Sequence, residues 1–224
     1  MTIEVTAGEP RLDALCVLAR HARELMDAVA LTDVAEEELA AVTAELSALT
    51  GRLRAAARTT PQPFEVAPDG TLRQLGNAVT GAANPHALPL TVERADGGGV
   101  RADLAFRPLH EGPPGAVHGG ISAMILDHLL GQAVAAAGLA GMTGTLTVRY
   151  RAPVPYGTPL LATAEHTRSE GRKSWAEGRI ALPDGTVLVE ATGLFVTPTG
   201  WLERGPAPSG GTGRPAAGGG PARQ

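Results

Sequence analysis

Asp127 stands inside an apolar run, ISAMILDHLL (residues 121–130), that begins just after His118-Gly119-Gly120. A carboxylate buried without a partner is costly, so Asp127 must be paired, hydrogen-bonded or left protonated. Such a group can take a proton from water or attack as a nucleophile. The plainer alternatives are an Asp bonded to a neighbouring hydroxyl, or a solvent-facing position beside the equally polar His128. The first N–H groups of a helix have no internal partners and lie at its positive end. Gly119 and Gly120 would let a ligand approach those donors closely, although a simple loop-to-helix entry also explains them. His118 fits a capping side chain, a hydrogen-bond partner fixing the loop, or a substrate contact. No acid partner for it is evident in the sequence, so a structural role is preferred to that of a base. Asp103 and Glu111 would reach it only if the fold brought them there.

These residues need elements to hold them. The spacing predicts a helix over 119–138. Ile121, Met124, Ile125 and Leu129 mark one face, and Ala123, Leu126, Leu130 and Ala133 another. A helix apolar nearly all round is enclosed on most sides. Strands are predicted at 88–95 and 100–108 around a glycine turn, then at 145–151, 160–169, 173–182 and 187–196, with Pro183-Asp184-Gly185 as a hairpin turn. The strands after the helix read as antiparallel and joined by short turns. Thr143, Thr145, Thr147, Arg149 and Arg151 share one parity, and Leu146, Val148 and Tyr150 the other, core-facing one. One long helix enclosed by a curved antiparallel sheet is the hotdog architecture, an α+β fold.

Three further regions flank this domain, which is assigned to 88–204. Leu12, Leu15, Leu18, Ala22, Leu25 and Val29, and then Leu39, Val42, Leu46, Leu49 and Leu53, repeat at three and four residues. They predict a helical hairpin over 1–58, with Thr32-Asp33 and Glu36 as capping residues. It reads as a packing appendage on the body or in the oligomer, with a partner-binding coiled coil as the alternative. Residues 59–87, rich in Pro and Gly, read as a linker or irregular wrap, and 205–224 as a disordered Gly/Pro-rich tail. The 224 residues carry a net charge of −4 with only 3% aromatics, which argues against nucleic acid as a partner. The single cysteine, Cys16, excludes an internal disulfide and a multi-Cys metal site. His110, His118 and His128 lack compact ligand spacing, so no metal is expected. The longest apolar run is too polar for a membrane span, and the N-terminus reads as lacking a secretory signal; a cytoplasmic protein is expected.

GPPGAVHGGISAMILDHLLG, followed by GMTGTLTVRYRAPVP, EGRK and EATGLFV, closely resembles the hotdog-fold acyl-CoA thioesterases, in particular the PaaI-like group, over roughly residues 85–198. The Gly-Pro-Pro-Gly lead-in is similar to that of the larger mitochondrial long-chain thioesterases. The specific features are an Asp nine residues after the His, a Thr sixteen after that Asp, and a later Glu-Gly-Arg-Lys. The resemblance implies that Asp127 is the catalytic carboxylate, that the Gly119 N–H polarises the thioester carbonyl, and that the Thr143 hydroxyl positions water or the carboxylate. It places Arg149, Arg151, Arg172 and Lys173 where relatives contact coenzyme A. Some members carry an Asn six residues before the His of His-Gly-Gly; here that position is Gly112, so any role of that Asn is lost or replaced.

Thioester hydrolysis needs an oxyanion donor, with Gly120 joining Gly119, and preorganised donors are worth roughly 3–4 kcal/mol each. It needs a base or nucleophile opposite, and Asp127 could act as either. About 13 Å of helix rise separates His118 from Asp127, so one Asp cannot easily face its own helix N-terminus. Hotdog relatives set the helix N-terminus of one subunit against the Asp of the other, so the resemblance implies an obligate homodimer, or a dimer of dimers, with shared active sites. The strand from Thr143 to Arg149 spans roughly 20 Å, which suits an extended pantetheine arm. Met124, Ile125 and residues 84–90 are candidates to line the acyl slot. No cofactor is expected beyond coenzyme A as part of the substrate. An acyl-carrier-protein thioesterase and a non-catalytic acyl-CoA-binding sensor are the alternatives. A hotdog hydratase ranks low, because its Asp and His five residues apart have no counterpart here.

Overall fold

The structure, a computed structural model, describes residues 5–7, 10–59, 64–66, 72–88, 90–96 and 98–202; the tail from 205 lies outside them. In chain order the elements are β1 (Val5–Ala7), α1 (Pro10–Leu31), α2 (Glu36–Arg54), β2 (Phe64–Val66), β3 (Leu72–Gln74), β4 (Glu93–Arg94), β5 (Val100–Leu104), a 3-10 turn at Pro108–His110, α3 (Gly119–Ala136), β6 (Met142–Tyr150), β7 (Leu160–Glu170), β8 (Lys173–Ala181), β9 (Val187–Val196) and α4 (Thr199–Leu202). β1, β2 and β3 form a small sheet, so the segment expected as an irregular wrap contributes two strands.

The main sheet has the order β4-β5-β7-β8-β9-β6, all pairs antiparallel, and α3 lies across it. The hotdog arrangement expected from the helix and strand pattern is present. One connection differs from the short turns expected. β6 pairs with β9, not with β7, so residues 151–159 carry the chain away from the β6 edge to the inner strand β7. Pro153, Pro155 and Pro159 fall in that crossing, where a paired strand would need N–H groups they lack.

α3 fits closely because the sheet face beneath it is made of small residues. Ala162, Ala164, Ala176 and Ala191 are buried there. Leu130 reaches into a notch at Gly178 and Gly193, where an added Cβ would lie 3.3 and 3.2 Å from its methyl carbons. Ile125, Leu126, Leu129 and Leu130 are fully buried. The helix ends in a Schellman motif: Gly138, at φ 78°, donates to Ala135 O, and Leu139 donates to Val134 O.

Both N-terminal helices form where the periodicity places them, but they are held differently. α1 buries Leu12 and Ala19 and packs on the 3-10 turn. Arg107 Nη1 donates to Asp27 Oδ2 at 2.9 Å and to Arg23 O at 3.2 Å, and Arg23 in turn donates to Asn84 O. α2 buries none of its residues.

Candidate active site

The two ends of β6 reach over to α3 where it carries the candidate chemistry, at Asp127 in mid-helix and at the helix N-terminus. At the Asp127 end, Thr143 Oγ1 donates to Asp127 Oδ1 at 2.9 Å. Strict alternation would turn Thr143 to the same side as Thr145, away from α3. The register corrects that expectation: Thr143 pairs with Phe195 and Thr145 with Leu194, leaving Gly144 as an extra, bulged residue. Phe195, Ala191 and Val189 are the buried, α3-facing residues of β9, and their β6 partners are Thr143, Val148 and Tyr150. The bulge therefore puts Thr143 on the helix side with Leu146, Val148 and Tyr150. A glycine within a strand was the available sign of it.

At the other end, His118 is the N-cap of α3. Its Nδ1 accepts from Gly120 N–H at 3.0 Å, so a neutral ring carries its proton on Nε2. Ile121 N–H donates to His118 O. These bonds use the helix-end donors that follow, and the Gly119 N–H has no hydrogen-bond partner among the described residues. Gly120 was expected to share the donor role; its N–H is instead taken by the cap. Tyr150, expected to face the core, is 52% exposed, and its hydroxyl donates to Gly119 O at 2.9 Å. A Cβ at Gly119 would lie 3.0 Å from the Tyr150 ring, so glycine is what allows this contact.

The loop before the cap is held from below. His118 N–H donates to His110 O, and Arg107 N–H donates to His110 Nδ1. His110 is buried, and burial, with Arg107 adding to it, holds its pKa below the ordinary histidine value. Neither carboxylate considered for His118 is bonded to it. Glu111 accepts from Gly115 N–H and Tyr156 OH, and Asp103 lies on β5 towards the opposite edge of the sheet. At Gly112 an added Cβ would be 2.7 Å from His118 Cα, so the Asn some relatives carry there has no room.

A cleft of about 550 Å³ opens beside Gly119, lined by Pro113–Val117, Ser122 and Tyr150–Val154. Ser122 is fully buried, and its Oγ has no hydrogen-bond partner. The four basic residues divide between the ends. Arg151 lines this cleft and pairs with Glu190 at 2.7 Å; Arg149 lies opposite Glu190 in the β6–β9 ladder. Lys173 shares the Val196 register with Met142, next to Thr143, while Arg172 donates to Thr197 O and Thr199 Oγ1. Met124 is half-buried and packs against the core; Ile125 is fully buried. His128, beside Asp127, lies 3.5 Å from Thr80 Oγ1; burial lowers its pKa, and the Asp127 charge opposes that shift. Among the described residues no cluster of three or more His, Cys, Asp or Glu could hold a metal, and no helix is long and apolar enough to cross a membrane.

Comparison with known proteins meets this geometry. The thioesterase superfamily family model matches residues 114–189, a span that contains His118, Asp127 and Thr143. The chain is 37% identical over 90 residues to acyl-coenzyme A thioesterase THEM4 of Xenopus laevis, covering 40% of each chain. It is 34% identical over 87 residues to THEM4 of Mus musculus, covering 38% of this chain and 37% of the relative. The match thus spans about 40% of the length of these relatives. The crystal structure of a thioesterase superfamily protein superposes with a TM-score of 0.73 at 35% identity, covering 88% of this chain and 100% of that one. With that whole-length likeness added to the motif spacing and the hotdog sheet, the chain belongs to the thioesterase superfamily.

Proposed function

We propose that the protein hydrolyses acyl-coenzyme A thioesters at sites shared between two subunits. The observation that carries this reading is the placement of the two half-sites at opposite ends of one unpaired strand edge. β6 is an edge strand, running from Thr143 at Asp127 to Tyr150 at Gly119. Within one subunit the half-sites are separated by roughly 12 Å of helix rise. An edge strand is a template for pairing with another chain. Antiparallel pairing of two β6 strands about a twofold axis sets the Thr143 end of one against the Tyr150 end of the other. It does so twice, giving two equivalent sites. Arg172 and Lys173 of one subunit then approach the end where the other carries Arg149 and Arg151. Phosphate-binding side chains thereby gather around each site, which favours coenzyme A over a protein carrier as the thiol.

In this arrangement the thioester carbonyl oxygen accepts the Gly119 N–H of one subunit, and the carbonyl carbon faces Asp127 of the other. Thr143 holds Asp127 Oδ1, and Oδ2 has no hydrogen-bond partner among the described residues. As general base, Oδ2 takes a proton from water as the water oxygen bonds to the carbonyl carbon. The tetrahedral intermediate places its negative oxygen at Gly119, then collapses with cleavage of the C–S bond. The products are the acid and the coenzyme A thiolate, which takes up a proton. As nucleophile, Oδ2 itself bonds to the carbonyl carbon, the C–S bond breaks to release the coenzyme A thiolate, and water then cleaves the resulting anhydride to the acid and the Asp127 carboxylate. The names of the THEM4 relatives support acyl-coenzyme A as the substrate class.

Thiol release from a panel of acyl-CoAs, compared between wild type and Asp127→Asn, tests the reading. Release by the wild type and its loss in the variant are expected. Acyl-CoA binding with no release on any chain length would favour the non-catalytic sensor. Release unchanged in Asp127→Asn would sink the mechanism. A single turnover in ¹⁸O-water separates base from nucleophile: first-turnover product without the label identifies Asp127 as the attacking atom.

A further inference from the structure

We propose that α2 pairs antiparallel with α2 of a second copy of this chain, an interface separate from the β6 edge. Leu39, Val42, Leu46, Leu49 and Leu53 alternate strictly at three and four residues, the spacing of a coiled-coil seam. Most of the seam faces solvent: Leu39 is 45%, Leu49 47% and Leu53 60% exposed, with Val42 and Leu46 half-buried between them. In proteins most helical stability comes from packing an apolar face, and α2, 19 residues long, buries none of its residues. Its N-cap, Ala35, supplies no side-chain bond to the free N–H groups. α1 does not cover it; α1 turns Leu12 and Ala19 to the body and is tied there through Asp27 and Arg23.

Charge identifies the occupant. The first turn of α2 holds Glu36, Glu37 and Glu38, and its last turn Arg52 and Arg54. Parallel pairing of two copies sets acid on acid and base on base. Antiparallel pairing sets acid on base at both ends at once, so the helix is its own complement. The seam supplies attraction and the end charges supply direction.

The test uses the full chain with Cys16→Ser and a spin label at Ser47→Cys, near the middle of α2. Pairing is expected to give an inter-copy distance of about 20–35 Å, two helix axes about 10 Å apart plus the label arms. Leu46→Asp, and separately Glu36→Lys with Glu37→Lys and Glu38→Lys, should abolish that distance and leave hydrolysis unchanged. Adding Arg52→Glu and Arg54→Glu to the triple variant swaps both ends and should restore it. No such distance in the parent, its persistence in Leu46→Asp, or no restoration on the full swap overturns the pairing. Absent hydrolysis with the distance present would refute the proposed reaction instead and leave the pairing standing.

Discussion

The two ends of β6 meet α3 in the same way, at its midpoint and at its N-terminus, and yet the places they build offer opposite chemistry. At each end a β6 hydroxyl donates across to the helix at 2.9 Å, Thr143 to a side chain and Tyr150 to a carbonyl. The Asp127 end presents a carboxylate oxygen, and the Gly119 end presents one backbone N–H. The first is made by choosing a side chain. The second is made by what the His118 cap leaves over. In the proposed reaction neither suffices alone, and the helix between them keeps them apart. In the proposed dimer this difference gives the edge strand two tasks, building each half-site and joining it to its complement.

Breaking the Asp127 end should have the largest effect. Asp127→Asn keeps the shape and removes the proposed base or nucleophile, and a loss of about 10²–10⁴ in kcat is expected, read by single-turnover acyl-CoA hydrolysis. Gly119→Pro breaks the other end. Proline is at home in the first helical position, and His118, at ψ 130°, already has the extended backbone that a following proline requires. The free N–H is lost and Tyr150 must shift by a few tenths of an ångström to clear the ring, and kcat should fall about 10²–10³-fold. A variant that loses substrate affinity alone would show that the Gly119 donor does not serve the transition state.

The supporting hydroxyls should matter less. Thr143→Val removes a hydrogen bond to a charged group, and kcat should drop about tenfold or more. Gly144→Val should act similarly, because a β-branched residue there favours regular pairing and turns Thr143 away from Asp127. Tyr150→Phe, which loses a bond between neutral groups on an exposed ring, should cost about two- to fivefold. Equal effects from Thr143→Val and Tyr150→Phe would erase the distinction between the two ends.

The smallest effect is on stability. His110 under the Gly119 end and His128 beside Asp127 both have lowered pKa values in the fold, chiefly through burial. The unfolded chain therefore binds protons first as the pH falls. The stability held by neutral histidines is full above about pH 6.5 and is lost on acidification through the lowered folded values. Thermal unfolding at pH 7.5 and 5.5 should show this loss, and His128→Gln should reduce it. An unchanged pH dependence in that variant would remove His128 from the account.

Much of this was legible in the sequence, for different reasons at each place. Asp127 could be found because a carboxylate in an apolar run needs an explanation, and α3 because its apolar faces repeat at the helical period. The strands β7, β8 and β9 followed from alternation and turn residues. The facing of Thr143 was not legible from alternation, because one bulged residue, Gly144, reverses the count. Nor was the loss of the Gly120 N–H as a donor, since that depends on the rotamer of His118. Tyr150 was read as a core residue because alternation gives a side, whereas the chemistry depends on how far along that side the ring reaches. The pairing of β6 with β9 is a long-range choice that no local pattern specifies.

Mixed dimers test the shared site most directly. Asp127→Asn and Gly119→Pro chains, each inactive as a homodimer, are unfolded together, refolded and isolated as the heterodimer by differential tags. A shared site predicts one intact centre of the two, with the Asp127 of one chain facing the Gly119 of the other, and about half the wild-type kcat. A correctly folded heterodimer as inactive as its parents would contradict a site divided between subunits.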